Sequence, residues 1–286
     1  MNTKKKWLCL SIFAPKQAWS RIIKTEINYF LSHQFSQRPS FKLAFSYHER
    51  ANIQFSIQVD MDLAAVTAEA LDIHFKRIFP EHDFSSGQVG NSSNGLFMEI
   101  PNNSIHYGRY KVVEENFPEF TDIISILIVE MLAERRINDN AILSFGLSLM
   151  FGLVKALTKE LSEKDVLKFI IQTQRFAPPK DNSGAIIYDF FSDQFIENKE
   201  AVTDLYDQIM GIDQSIESGI GRWVNHVRDL SDGPILRKKG REEVVGQLFQ
   251  TALTKINAQL GFNTLIHSIL TVFVFETLKY RLSLAG

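Results

Sequence analysis

One cysteine in 286 residues excludes an intrachain disulfide, and that usage fits a reducing, cytoplasmic setting. Cys9 sits in the apolar run Trp7-Leu8-Cys9-Leu10, where a thiol reads as a small buried hydrophobe rather than a nucleophile. Charge of one sign is also missing. Against 31 basic residues stand 33 acidic ones, so no net field draws the chain to nucleic acid, and Lys4-Lys5-Lys6 reads as a solvated tail. No segment offers about 20 clean apolar residues. The stretch 123–133 is broken by Glu130, and 141–157 contains two glycines and two serines, so both read as buried helices and no membrane partner is expected. The N-terminus has no sustained apolar segment before Ala14-Pro15-Lys16, which argues against a secretory signal. Phosphate-loop, dinucleotide, nucleophile-elbow and zinc-helix motifs are absent, as is any metal-type Cys/His spacing. Neither a metal nor a cofactor is therefore expected.

What is present is a hydrophobic share of 45% rich in phenylalanine, 23 Phe against 7 Tyr and 3 Trp, which reads as a Phe-rich core. Trp7 to Phe13 has strand character and stops at Pro15. Ala18, Ile22, Ile23, Ile27, Phe30 and Leu31 then recur at helical spacing. Phe41, Leu43 and Phe45 alternate with polar or small residues. After a short turn Ile53, Phe55, Ile57 and Val59 do the same, which predicts a β-hairpin. A helix follows, capped at Asp60 or Asp62, with Leu63, Val66, Ala70, Leu71, Ile73 and Phe75 as its apolar stripe and Pro80 at its end. Residues 83–95 are loaded with Ser, Gly and Asn and read as a loop, either a cover for a site or a surface insertion. A last strand is expected at 96–100, with a second piece near Ile105. From Phe117 the pattern is helical: 121–136, 139–161, 162–175, 197–210, 214–230, 241–260 and 263–282. The fold class is α+β. A ferredoxin-like βαββαβ sheet layer at 1–112 is expected to pack on a mainly helical half at 113–286 as one unit, with a cleft between them.

Two groups of residues could carry chemistry. His267 lies in the middle of an apolar helix, in line with Asn263 and Thr271 one turn away on either side. An imidazole there could act as a general acid or base, or it could be a hydrogen-bonded core histidine. His106, Tyr107, Arg109 and Tyr110 form a polar-aromatic cluster after the last strand. They read either as functional groups on a rigid exit or as filling between sheet and helices. Gly219-Ile220-Gly221-Arg222 follows no expected strand, so it reads as a helix irregularity rather than a phosphate cradle.

The order of these pieces resembles the C-terminal, glutamate-eliminating domain of lantibiotic dehydratases, known also as stand-alone thiopeptide-type bacteriocin biosynthesis proteins. The family's opening Trp-Leu-x-Leu strand is matched by Trp7-Leu8-Cys9-Leu10. Its hairpin is matched by Phe41-Lys42-Leu43-Ala44-Phe45 and Asn52-Ile53-Gln54-Phe55-Ser56, its Arg-Tyr-Gly element by His106-Tyr107-Gly108, and its C-terminal Ser-x-x-His-Met by Thr264-Leu265-Ile266-His267-Ser268. In the eliminating enzymes, arginines of the hairpin and of Arg-Tyr-Gly hold the glutamyl ester. Here those positions fall on Gln54, Ser56 and His106, and only the histidine, His267, keeps its place. An amide or hydroxyl replaces neither the charge nor the fork of a guanidinium.

The family's pyridine synthases, which join two dehydroalanines of a peptide by a formal [4+2] cyclisation, fit those losses. The resemblance implies a tailoring enzyme for a ribosomally made peptide, with His267, His106 and Tyr107 as catalytic groups. Gln54, Ser56, Arg109, Tyr110 and Thr271 would contact substrate. It places the hairpin and the His106-Tyr107-Gly108 exit facing His267 across the cleft. The expected partners are a leader-bearing precursor peptide and a separate glutamylating dehydratase subunit, with a homodimer left open. A divergent glutamate-eliminating domain and a non-catalytic precursor-binding partner remain as alternatives.

Overall fold

The computed structural model describes residues 4–48, 50–81, 100–112, 117–159, 161–173, 183–213, 218–231 and 241–285. The chain divides into two compact units. The first comprises Met1–Ile142 with Ala258–Gly261, and the second Leu143–Asn257 with Phe262–Gly286.

The first unit holds the one described sheet: β1 (Lys5–Phe13), β2 (Phe41–Ser46), β3 (Asn52–Asp60) and β4 (Ser104–Tyr107), in the order β2-β3-β1-β4 with every pairing antiparallel. The class is α+β. Between β1 and β2 runs one continuous helical stretch, α1 (Lys16–Arg21), a π-helical turn (Ile22–Ile27) and α2 (Asn28–His33). Pro15 starts it: its carbonyl accepts the Ala18 N–H at 2.8 Å. The π turn carries Ile22, Ile23, Glu26 and Ile27 inward.

Between β3 and β4 lies α3 (Ala64–Glu81), entered through a 3-10 turn, Met61–Leu63. Its expected stripe is corrected. Leu71 and Phe75 are buried, but Leu63, Val66 and Ile73 are exposed, and Thr67, His74 and Ile78 point inward instead. Burying His74 is feasible because its Nε2–H donates to the Glu26 carbonyl at 3.2 Å, with the Glu26 carboxylate 3.6 Å away. The expected loop at 83–95, and the strand at 96–100 apart from Ile100, lie outside the described residues; the described fourth strand is the piece around Ile105.

Alternation along the strands gives the sheet two unlike faces. Leu10, Ile12, Leu43, Phe45, Ile53, Phe55 and Ile57 form the apolar face, where Trp19 of α1 stacks on Phe45 at 4.8 Å. The opposite face is largely polar. α4 (Pro118–Leu127), continued by a π turn (Ile128–Leu132), lies against the β2 edge. Ser125 Oγ accepts the Leu43 N–H at 3.0 Å, and Gln259 Nε2 donates to the Leu43 carbonyl at 3.0 Å. The edge strand is thus capped at its centre by side chains. Gly261 follows with φ +69°, and a Cβ there would lie 2.6 Å from the Phe45 carbonyl oxygen, so only glycine fits.

The second unit is helical: most of α5 (Asp139–Leu157), then α6 (Glu163–Thr173), α7 (Ser183–Met210), α8 (Gly219–Ser231), α9 (Arg241–Leu260, less its last residues) and α10 (Thr264–Ala285). The helix expected at 197–210 starts earlier, at Ser183, and Gly219-Ile220-Gly221-Arg222 opens α8. α5 is long and apolar enough to cross a membrane by length and composition, but 72% of its most apolar window is buried inside the protein, as in a core helix. Its Gly152 lets Trp223 of α8 approach; a Cβ there would lie 2.6 Å from the indole, whose N–H donates to the Leu149 carbonyl at 2.8 Å. Lys155, buried, donates to the carbonyls of Ile209, Met210 and Ile212 at 3.0, 2.8 and 2.5 Å, which caps α7 with a cation at its negative end.

Candidate functional site

On the polar face of the sheet the strand registers line up one row across all four strands. Ala44 lies opposite Gln54, Gln54 opposite Ser11, and Ser11 opposite His106. A second row brings Lys42 opposite Ser56 and Ser56 opposite Cys9. His106 is inside β4 rather than after it, and its ring meets Phe13 edge-on at 5.4 Å. Its Nε2 lies 3.2 Å from Ser104 Oγ. Arg109 sits over the same Phe13 ring, its guanidinium 5.6 Å from the centroid. Gln54, His106 and Arg109 therefore share one surface.

Ser56 and Tyr110 share it too, but they are engaged with each other. Ser56 is 1% exposed, its hydroxyl lies 2.9 Å from the Tyr110 hydroxyl, and Tyr110 Oη also donates to the Leu10 carbonyl at 3.3 Å. Burial pushes the Tyr110 phenol well above its ordinary value, against the smaller opposing effect of the Ser56 hydrogen bond. The pair is a strut under the polar face.

Tyr107 is the exception among the predicted residues. It pairs with Leu10, so its side chain belongs to the apolar face, and its hydroxyl donates to the Ala68 carbonyl of α3 at 3.0 Å. Burial, reinforced by Asp72, raises its phenol, which stays protonated as a donor. Adjacent strand residues point to opposite faces, so His106 and Tyr107 are not brought together.

In the second unit, His267 stands in the first turns of α10. Asn257 Nδ2 of α9 donates to His267 Nδ1 at 2.6 Å. The connection between α9 and α10 makes this contact. With Gly261 left-handed, the Phe262 N–H reaches back to the Asn257 carbonyl at 2.9 Å, the closing bond of a Schellman turn. Asn263 Oδ1 then caps α10 by accepting the Ile266 N–H at 2.9 Å, and its carbonyl accepts the His267 N–H at 3.0 Å. Thr271 is buried, and its hydroxyl donates to the His267 carbonyl at 2.8 Å, which braces the helix. Burial lowers the His267 imidazole below its ordinary value, which favours the neutral ring.

Three contributors were not singled out from sequence: Lys42, which lies over the Trp7 ring at 5.0 Å, Ser11 in the centre of the polar row, and Asn257. The alternation of β1 and β2 pointed to the first two, and the Gly261 and Asn263 turn signals to the third. A cavity of about 290 Å³ between α2 and α3, bordered by Tyr29, His33, Ile73 and Arg77, contains none of the predicted residues. Among the described residues, no three His, Cys, Asp or Glu side chains come together to hold a metal ion.

No protein-family model matches the chain, and no curated protein matches its sequence. Solved structures do match. The pyridine synthase TbtD, from thiomuracin biosynthesis, aligns with a TM-score of 0.67 over 95% of this chain and 97% of its own, at 12% identity. TsrL aligns with a TM-score of 0.63 over 98% and 96%, at 10% identity. The chain thus has the fold of TbtD and TsrL along nearly its whole length.

Proposed function

We propose that the protein tailors a ribosomally made, thiopeptide-type precursor peptide, and that its reaction is the pyridine-synthase type of formal [4+2] cyclisation followed by loss of water and leader. The observation that carries this reading is the full-length likeness in fold to TbtD, a pyridine synthase. The chemistry of the candidate residues agrees with it. Gln54 and His106 stand at positions where the eliminating members carry arginines, and an amide and an imidazole suit the neutral amides of a dehydrated peptide, with the Arg109 guanidinium beside them. The N-terminal half is read as a ferredoxin-like layer, supported by its βαββαβ order and by the strand order β2-β3-β1-β4.

In this scheme Gln54, His106 and Arg109 hold peptide, the Ser56–Tyr110 strut shapes the face beneath them, and Tyr107 ties β4 to α3. His267 handles protons. Water and a leader carboxamide each leave with a proton gained, and the ring loses protons as it becomes aromatic, so a group that titrates near neutrality is needed. Positioning two dehydroalanines supplies much of the remaining acceleration.

The test is incubation with a leader-bearing, dehydrated candidate peptide followed by mass spectrometry. The expected products are a peptide macrocycle and a free leader. Loss of a glutamyl group would instead mark an eliminating enzyme, and an unchanged but tightly bound peptide a binding partner. His267→Gln should still bind the peptide while turnover falls by about 10² or more; undiminished turnover would remove His267 from the scheme.

A further inference from the structure

We propose that α3 pairs with α3 of a second copy of this chain, antiparallel about a two-fold axis at Ala70, and that the protein is a symmetric, reversible dimer through this surface. The inference is independent of the reaction assigned above.

Helix α3 has two apolar seams. Leu71, Phe75 and Ile78 form the inner one and are buried. On another side Leu63, Val66, Ala70, Ile73 and Arg77 follow one another at spacings of three and four residues, the period at which one helix packs along another. Leu63, Val66 and Ile73 are 54%, 59% and 63% exposed. Single exposed apolar residues are common on soluble surfaces. A row of them running about 20 Å along one helix marks a contact. The second seam therefore lacks its covering helix within the chain.

The charges at its two ends select the occupant. Asp62, in the 3-10 turn that leads into α3, stands at one end, and Arg77, near the last turn, stands at the other. Both are exposed, and neither has an ion pair or hydrogen bond among the described residues. A two-fold antiparallel pairing brings together residues about equally far from Ala70. Val66 then meets Ile73 of the second copy, and Arg77 reaches Asp62 with its stem along Leu63, each contact being made twice. Ala70 falls on the axis, where a methyl group lets the two helices approach closely. The cavity of about 290 Å³ bordered by Ile73, Arg77, Tyr29 and His33 lies where Leu63 of the second copy arrives. Tyr29 and His33 stack at 3.9 Å and give that cavity a flat aromatic wall. An unrelated helix would need this pattern by coincidence, whereas a second copy has it by symmetry. One helix pair buries less than the roughly 1,200 Å² of a standard interface, so the dimer should dissociate on the order of tens of micromolar.

Sedimentation equilibrium of the full chain between about 1 and about 500 µM reads the association, and charge exchange reads the surface. The wild type should pass from monomer to dimer over this range. Asp62→Arg and Arg77→Asp each set like charges against each other at both ends of the seam, and each should weaken the dimer about tenfold or more. An equimolar mixture of the two variants should associate again, because each chain then offers the charge that the other needs. So should the double variant Asp62→Arg/Arg77→Asp, whose net charge is that of the wild type. Both restorations are specific to an antiparallel pair. Ala70→Cys adds a thiol on the axis, away from the buried Cys9, and should oxidise to a covalent dimer. A wild-type chain that stays monomeric at the highest concentration overturns the proposal without any variant. A dimer indifferent to both charge reversals, or a mixture no tighter than either variant alone, overturns it as well, since the contact would then lie elsewhere.

Discussion

The two faces of the sheet are made by the same strands and even by neighbouring residues, yet they contrast sharply. On β1, Leu10 and Ile12 have no exposed surface and face Phe55 and Ile53, while Ser11 between them looks across at Gln54 and His106. The apolar face is closed by Trp19, Phe75 and their neighbours. The other carries hydrogen-bonding groups and a strut. A period of two lets one short sheet hold an apolar core on one side and a largely polar, hydrogen-bonded face on the other.

The strongest way to break this contrast is to exchange deletions between faces. Phe55→Ala should cost about 3–5 kcal/mol of unfolding free energy, as for other fully buried aromatics. Its strand neighbour Gln54→Ala should stay within about 0.5 kcal/mol and alter peptide binding instead. Urea titrations of both variants check this, and similar losses would show that the polar face is also core.

A smaller effect tests the strut. Tyr110→Phe and Ser56→Ala should each cost about 1 kcal/mol, and the double variant less than their sum, because each removes the same hydrogen bond. Additive costs in the double-mutant cycle would mean that the two hydroxyls act separately.

The smallest effect is a pH dependence on the apolar side. His74 is lowered mainly by burial, with Glu26 opposing, so its folded value lies below the ordinary imidazole value of about 6.5. The unfolded chain then binds the proton first as pH falls. The associated stability is present above about pH 6.5 and is lost as pH drops toward the folded value. Thermal unfolding between pH 7 and 5 should fall more steeply for the wild type than for His74→Gln. Equal slopes would mean that Glu26 cancels the burial.

Much of this was readable from the chain. The alternation in 41–46 and 53–59 gave the hairpin, and the helical periods gave most helices to within a few residues. What escaped depended on distant partners. The inward rotation of α3 follows from His74 meeting Glu26, 48 residues earlier, and no local pattern makes a histidine outcompete Ile73 for the interior. The π turn has no composition signal of its own. Grouping His106 with Tyr107 treated 106–107 as an exit; once they are strand, parity alone separates them. His267 was found from its apolar setting, but its partner required the left-handed Gly261 turn to be read as geometry rather than as punctuation.

The capped edge of β2 also bears on how the chain is made. Leu43 is covered by Ser125, 82 residues downstream, and by Gln259, 216 residues downstream. During synthesis the strand is complete long before the groups that seal it, and its backbone can recruit another chain in the interval. A ribosome stalled or a chain cut before residue 259 would therefore release a sheet with an open border. The second of these seals comes from α9, 216 residues after the strand position it covers.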